Sequence, residues 1–254
     1  MENIKIKINQ DNWNKTYTQF EGWCALPTWG PYEVCKDDPT LIGDIKDKIF
    51  LEMCCGSGHS IKYLIENGAK KVYAVDFSES QINLAKKTNA AHLDKVEFIL
   101  SPMEKLIELP EKVDVVFSVY GIGWTLDPAS TFKNIFSYLK SGGKFVWSWD
   151  HGVFLNSQEQ DGKVVVTGSY YDESEHHLET FYSGEGVYQA FRKTSTWFQF
   201  LRDAGFEINR YLEPKPININ EDISTISSPE MGKYYSPVKA EKIPPVIVFE
   251  CFKK

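Results

Sequence analysis

The sequence predicts an α/β fold built on a mostly parallel sheet with helices on both faces. Three observations carry this prediction: short apolar runs alternate with amphipathic stretches from residue 49 to about 149, a glycine turn follows the first run, and an acid ends the second. Strand–helix alternation gives right-handed βαβ units, which bring the carboxyl ends of the strands to one edge of the sheet. Such sheets bind their ligands at that edge.

Each element follows from its local pattern. The first strand, at 48–54, is an apolar run that leads into the turn Gly56-Ser57-Gly58. Apolar side chains at helical spacing then predict a helix at 60–67, and Ser78 is suited to cap the next one. The other predicted strands are 71–76, 96–100, 113–120, 144–149, 206–212 and 246–252, and the other predicted helices are 79–88, 129–139 and 194–204.

Two regions depart from the alternation. Residues 1–40 are an aromatic N-terminal segment whose first ten residues alternate isoleucine with polar residues, which predicts a strand-like or loose arm. Trp13 and Tyr17 lie one helical turn apart there; they either close over a ligand or pack the segment on the main domain. The main domain is expected over 41–254, with a polar and aromatic cap inserted at about 151–192.

Composition narrows the function classes. The 254 residues carry 28 Lys and Arg against 35 Asp and Glu, a net charge of −7, without the clustered basic face that a nucleic-acid backbone requires. No signal peptide or membrane-spanning run is present in the sequence, so we expect a cytoplasmic protein without a membrane partner. The five cysteines form no CxxC pair and predict reduced thiols, with neither a disulfide framework nor a metal site.

The strongest ligand signal joins the first turn to the second strand. Gly56 and Gly58 can take positive φ and allow a ligand to approach the backbone closely. Asp76 ends the second strand at the spacing where a carboxylate meets a ribose diol. The alternatives are an ordinary strand-to-helix turn and a simple helix cap. A nicotinamide dinucleotide site is disfavoured because Ile61 occupies the third glycine position of its fingerprint.

These motifs resemble those of the class I S-adenosylmethionine-dependent methyltransferases. Residues 50–58 are similar to the family's apolar strand, acid and Gly-x-Gly-x-Gly turn, and residues 72–76 to its second strand ending in an acid. The stretch at 139–144 resembles its Leu-Lys-Pro-Gly-Gly turn. Two positions depart from the pattern: Cys54 replaces the first glycine of the turn, and Pro102 stands where an adenine-binding acid often precedes the residue at Met103.

The resemblance implies a Rossmann-like sheet of seven strands, the last antiparallel beside the fifth, with an N-terminal helical lid and S-adenosylmethionine as cofactor. It places Asp76 on the ribose, Phe77 against adenine and Ser118 near the sulfonium. The expected cofactor-binding residues are Glu52, Cys54, Gly56, Gly58, Asp76, Phe77, Gln81, Met103, Glu104, Ser118, Tyr17 and Trp29.

Methyl transfer requires alignment, exclusion of water and, for a neutral acceptor, removal of a proton. His151 follows the fifth strand, and an imidazole is the side chain suited to general-base chemistry near neutral pH, so it is the candidate base, with a loop-anchoring role as the alternative. Tyr120, at the end of the fourth strand, is the second catalytic candidate. Trp124, Asp150, Tyr170 and Tyr171 are the candidate acceptor wall, although core packing or loop capping would also explain them.

The sequence therefore predicts methyl transfer to an oxygen or nitrogen atom of a small molecule, with no nucleic-acid partner. Two other functions remain open at this point. One is modification of RNA, which would need a basic groove. The other is a non-catalytic cofactor-binding module of the same fold, if Cys54 prevents productive binding.

Overall fold

The computed structural model describes residues 4–182, 185–221 and 235–254. Its centre is a seven-stranded sheet in the order β10-β11-β5-β4-β1-β2-β3, in which β11 is antiparallel to both neighbours and β1 to β5 are parallel. This confirms the predicted topology. The seven strands are β1 Ile49–Met53, β2 Lys71–Asp76, β3 Val96–Leu100, β4 Val113–Ser118, β5 Leu139–Asp150, β10 Glu207–Leu212 and β11 Val246–Phe252.

The helices of the alternating region begin and end within one residue of their predicted bounds, because apolar spacing and end signals agree there. The fifth strand is longer than predicted, since it begins at Leu139 rather than at residue 144. The helices are α1 Ile4–Thr16, α2 His59–Glu66, α3 Glu79–Thr88, α4 Pro128–Tyr138, α5 Gly152–Leu155, α6 Thr194–Asp203 and α7 Pro237–Ala240.

The core lies on both faces of the sheet. Successive residues of β1 alternate between them: Phe50 belongs to the cluster that contains Ile61 of α2, and Leu51 to the cluster that contains Phe132 of α4. All five residues of β1 are buried, as a central strand covered on both faces should be. The two-sided core fixes the strands, and with them the loops at their carboxyl ends.

The expected strand-like arm at the N-terminus is wrong, because the chain is helical from Ile4. The buried residues of α1 are polar: Asn9, Asn12 and Thr16, spaced three and four apart. Ile4 is 67% exposed. The isoleucine alternation therefore indicated the period of a strand where the chain forms a helix. The buried face of this helix is polar, so a hydrophobic pattern does not detect it.

The insertion contains α5 and two hairpins, β6 Ser157–Gln160 with β7 Lys163–Val166, and β8 Glu175–Phe181 with β9 Glu185–Ala190. α1 packs on β9 through Asn9, whose side chain donates to the Tyr188 carbonyl at 2.8 Å and accepts from its N–H at 2.7 Å. Within the described ranges, no helix has the length and apolar character to cross a bilayer.

Candidate active site

A cavity of about 610 Å³ lies at the carboxyl ends of the parallel strands, beneath α1 and the β8–β9 hairpin. That volume lies within the range of about 300–1,000 Å³ usual for small-molecule sites. Among the described residues, the lining includes five acids but neither lysine nor arginine. The acids are Glu52, Asp76, Glu104, Asp150 and Glu179.

The turn after β1 forms one side of the cavity, and its two glycines have different roles. At Gly58 (φ +76°) a β-carbon would lie 2.7 Å from Asn89 Nδ2 and 2.9 Å from the β-carbon of Ala85, so this glycine allows α3 to pack against the turn. At Gly56 (φ +49°) such a carbon would lie 3.9 Å from Gln81 Oε1, at ordinary van der Waals distance. Gly56 lines the cavity, whereas Gly58 does not.

Cys54 stands in the same turn with φ +61°, a left-handed conformation that is uncommon for residues other than glycine. It lines the cavity. The residue facing it is Gly121, where a β-carbon would lie 2.4 Å from that of Cys54. The cysteine is thus accommodated by a glycine in the loop after β4, and the turn keeps the shape expected of it.

Asp76 connects the turn to α3. Its Oδ2 accepts from the Gly56 N–H at 3.0 Å, and its Oδ1 from the Ser78 N–H at 2.9 Å. Burial raises the pKa of this carboxyl to about 6, although the hydrogen bonds from Ser78 and Gly56 oppose the shift. A carboxylate has about four acceptor sites, and the backbone N–H groups of Gly56, Ser78 and Phe77 bind this one, so at least one site remains for a ligand.

Two buried acceptors beside this turn lack a hydrogen-bond partner in the described part of the chain: Glu52 Oε2 and Gln81 Oε1. Both residues line the cavity, where Phe77 and Met103 add apolar surface. Burial raises the pKa of Glu52 well above its usual value. Unpaired buried acceptors are costly, and a ligand that brings hydroxyl or amino donors would satisfy them.

Glu104 also lines this end of the cavity, but one of its oxygens is used within the protein. Oε1 accepts from the Thr125 hydroxyl and from the Leu126 N–H, both at 3.0 Å. Burial raises the pKa of the carboxyl, which these bonds oppose. Glu104 therefore stabilises the loop before α4 through these hydrogen bonds and also lines the cavity.

The opposite end of the cavity is organised by Asp150, at the end of β5. Its Oδ1 accepts a hydrogen bond from the Tyr120 hydroxyl, and the Tyr235 hydroxyl lies 3.3 Å from the same oxygen. Burial raises the pKa of Asp150 to about 6, against the effects of the Tyr120 bond and the Lys239 charge. Burial also raises the pKa of Tyr120 far above its usual value, so the phenol remains a donor.

An aromatic wall surrounds this end. Trp13 of α1 packs edge-on against Trp124 with ring centroids 5.4 Å apart, and Trp124 packs against Phe181 of β8 at 5.2 Å. Trp23 packs edge-on against Tyr120 at 5.5 Å. The wall therefore joins the N-terminal segment, the loop after β4 and the cap.

His151 does not line the cavity, and both of its ring nitrogens are engaged. Nδ1 accepts from the Val153 N–H at 3.2 Å, which caps α5, and Nε2 lies 3.0 Å from Glu213 Oε1. An imidazole whose Nδ1 accepts carries its proton on Nε2, so it has no free lone pair for an acceptor's proton. The geometry corresponds to the loop-anchoring alternative, not to the base.

Five further predicted residues also lie outside the described lining. Trp29 is 1% exposed within the core, and Ser118 is fully buried. Tyr170 accepts from the Thr194 N–H at 3.3 Å, and Tyr171 is 83% exposed. Tyr17 lies in the turn after α1 and does not line the cavity. Four of these residues were candidates because they are aromatic. Aromatic character alone does not show whether a side chain lines a cavity, packs in the core or lies on the surface.

Several lining residues were not predicted. Trp23 and Cys24 come from the N-terminal segment, Tyr182 follows β8, and Tyr235 precedes α7. Tyr235 belongs to a polar stretch without periodicity, where no sequence signal singles it out. Ser57, His59 and Ser101 adjoin predicted strand ends, so proximity to the motifs could have identified them.

Comparison with known proteins agrees with this geometry. Residues 51–147 match the family model described as a methyltransferase domain. A Coxiella burnetii protein named malonyl-[acyl-carrier protein] O-methyltransferase 2 is 30% identical over 151 residues, which are 58% of each chain. This chain therefore spans less than two thirds of that relative.

Solved structures show the same fold. A Listeria monocytogenes chain, provisionally assigned as an S-adenosylmethionine-dependent methyltransferase, is 25% identical with a TM-score of 0.64, covering 83% of this chain and 93% of its own. A Mesorhizobium loti S-adenosylmethionine-dependent methyltransferase is 22% identical with a TM-score of 0.66, covering 85% and 96%.

Proposed function

Because the chain belongs to the class I S-adenosylmethionine-dependent methyltransferases, we propose that it transfers a methyl group from this cofactor to an oxygen or nitrogen atom of a small molecule. The observation that carries the proposal is one cavity with two chemically different ends. The turn after β1 and Asp76 form one end, and the Asp150 cluster forms the other.

The first end suits the donors that the cofactor brings. The ribose hydroxyls can donate to Asp76, and the two unpaired acceptors, Glu52 Oε2 and Gln81 Oε1, can take donors of the ribose and of the methionine amine. Phe77 and Met103 offer apolar surface to adenine. When bound, S-adenosylmethionine supplies a methyl group on a positively charged sulfur.

The second end supports a small acceptor. It lies under the cap, and the cavity's acidic lining would repel a nucleic-acid backbone. Relatives differ in acceptor: one is named for malonyl-[acyl-carrier protein], another, from Lactococcus lactis, for demethylmenaquinone. They support methyl transfer without selecting an acceptor. All five cysteines are free thiols, which supports our proposal of a cytoplasmic location.

Titration calorimetry with S-adenosylmethionine and with its demethylated product, S-adenosylhomocysteine, tests the cofactor half. We expect both to bind, and Asp76→Asn to weaken both by about thirtyfold, or ~2 kcal/mol, because it loses charge-assisted hydrogen bonds. Glu97→Gln is the matched control, since Glu97 lies on the neighbouring strand β3, pairs with Lys71 and does not line the cavity.

Three results would count against the proposal. Failure of the native protein to bind either compound would refute the cofactor assignment. Equal affinity of the native protein and Asp76→Asn would refute the ribose contact. Binding without transfer to any acceptor in a broad metabolite screen would favour the non-catalytic module.

A further inference from the structure

We propose that the acceptor is an amine that enters as its ammonium ion, and that Asp150 both binds this ion and takes its proton. The inference rests on the proposed methyl transfer and names the substrate class of that site. It is argued from the charges that face the cavity, the hydrogen bonds of Asp150 and the aromatic rings around it.

The charges of the lining favour a cation. Asp150 lies at the acceptor end, Glu179 of β8 also lines the cavity, and no lysine or arginine lines it among the described residues. A carboxylate or phosphate acceptor would be desolvated there without a cationic side chain to pair with it, at a cost of several kcal/mol. An ammonium ion would instead meet a carboxylate of opposite charge.

The hydrogen bonds of Asp150 leave room for this ion. Both hydrogen bonds that the described residues make to the carboxylate go to Oδ1, from the hydroxyls of Tyr120 and Tyr235. Nearby, Lys239 is fully buried, and its Nζ donates to the carbonyl oxygens of Phe154 and Ser157, both at 2.8 Å. That lysine does not line the cavity. Oδ2 of Asp150 can therefore accept from a ligand.

The rings beside Asp150 are suited to the same ion. Trp23 lies edge-on to Tyr120 at 5.5 Å and to Tyr235 at 5.8 Å between centroids. All three line the cavity. Aromatic faces attract alkylammonium ions, and more strongly when water is excluded. A carboxylate with aromatic rings about it selects a cation over a neutral molecule of the same shape.

The proton has a defined destination. An ammonium nitrogen has no lone pair, so one N–H bond must break before the nitrogen can act as a nucleophile, and this proton passes to Asp150 Oδ2. The nitrogen then bonds to the methyl carbon, and the electrons of the broken carbon–sulfur bond remain on sulfur. The product is a methylated ammonium ion, and Asp150 returns its proton to water.

Three probes of matched shape test the inference: phenethylamine, 2-phenylethanol and phenylacetate. Binding is measured by titration calorimetry to protein saturated with S-adenosylhomocysteine, so the readout does not depend on turnover. We expect the amine to bind at least about tenfold more tightly than the other two. Asp150→Asn, which keeps an acceptor for the tyrosines, should remove this preference while S-adenosylhomocysteine binds within about twofold of native.

Asp161→Asn is the matched control, because it removes one charge at the tip of the β6–β7 hairpin, where asparagine tolerates the positive φ of 51°. Equal or tighter binding of the alcohol or carboxylate, or an unchanged amine preference in Asp150→Asn, would overturn the inference. So would a variant that loses affinity for S-adenosylmethionine but not for S-adenosylhomocysteine, since Asp150 would then serve the sulfonium. Loss of cofactor binding by the native protein would instead refute the proposed function itself.

Discussion

The two ends of the cavity are built in different ways. The cofactor end comes from three short stretches that follow consecutive strands, at 52–60, 76–81 and 101–104, and much of its geometry is backbone: positive φ at Gly56 and N–H groups bound to Asp76. The acceptor end is made of side chains from the N-terminal segment, two strand ends, the cap and Tyr235. A backbone-built site needs particular residues at fixed spacing, whereas a side-chain-built site can draw its residues from anywhere in the chain.

α1 connects the two ends. Asn14 Oδ1 accepts from the Ser78 hydroxyl and the Ser80 N–H at the start of α3, while Asn12 donates to the Glu185 carbonyl of the cap at 2.9 Å. Trp13 lies between these two amides in sequence and lines the cavity. The buried face of the helix is held by hydrogen bonds rather than by an apolar stripe.

The largest effect, shared by the two ends, should come from Trp13→Ala. Removing an aromatic ring from the middle of a closed wall typically costs ~2 kcal/mol or more. We expect S-adenosylhomocysteine and phenethylamine each to bind about thirtyfold more weakly, because the ring lines the cavity and packs against Trp124 and Phe181. Titration calorimetry measures both.

Tyr17→Ala is the matched control, since Tyr17 is aromatic, lies four residues along and does not line the cavity. The affinities of this variant for S-adenosylhomocysteine and phenethylamine should stay within about threefold of native. If the two variants weakened binding equally, the lid would act through the stability of α1 and not through the Trp13 ring.

A smaller effect should come from pH. Asp76 accepts ligand hydroxyls as a carboxylate, and burial raises its pKa to about 6. Protonation below that pKa removes the charge, so affinity for S-adenosylhomocysteine should be constant above about pH 7 and lower by about tenfold at pH 5. Asp76→Asn should show a flat profile. A profile of native shape in that variant would assign the titration to another acid of the lining, such as Asp150 or Glu104.

The sequence predicted the cofactor end of the cavity more completely than the acceptor end. Helix bounds were recovered because apolar period, glycine turns and the cap at Ser78 agree with one another, whereas the order of the sheet came from the motif resemblance. The first ten residues were assigned to a strand-like arm because the buried face of α1 is Asn9, Asn12 and Thr16. Tyr235 was missed because only the fold brings it to Asp150, 85 residues away in sequence. Motif resemblance recovered the cofactor, and of the candidate acceptor-end residues Tyr120, Trp124 and Asp150 line the cavity, whereas Tyr170 and Tyr171 do not.

The smallest effect on activity is expected for His151→Ala. This variant distinguishes the role of His151 from that of its sequence neighbour Asp150. Asp150 faces the cavity, whereas His151 caps α5 and contacts Glu213. Turnover of the variant should stay within about twofold of native across neutral pH, with an amine that the protein methylates as acceptor. Loss of the cap should cost ~1 kcal/mol of stability and lower Tm by about 2–4 °C. A large loss of turnover with unchanged Tm would return the role of base to His151 and remove it from Asp150.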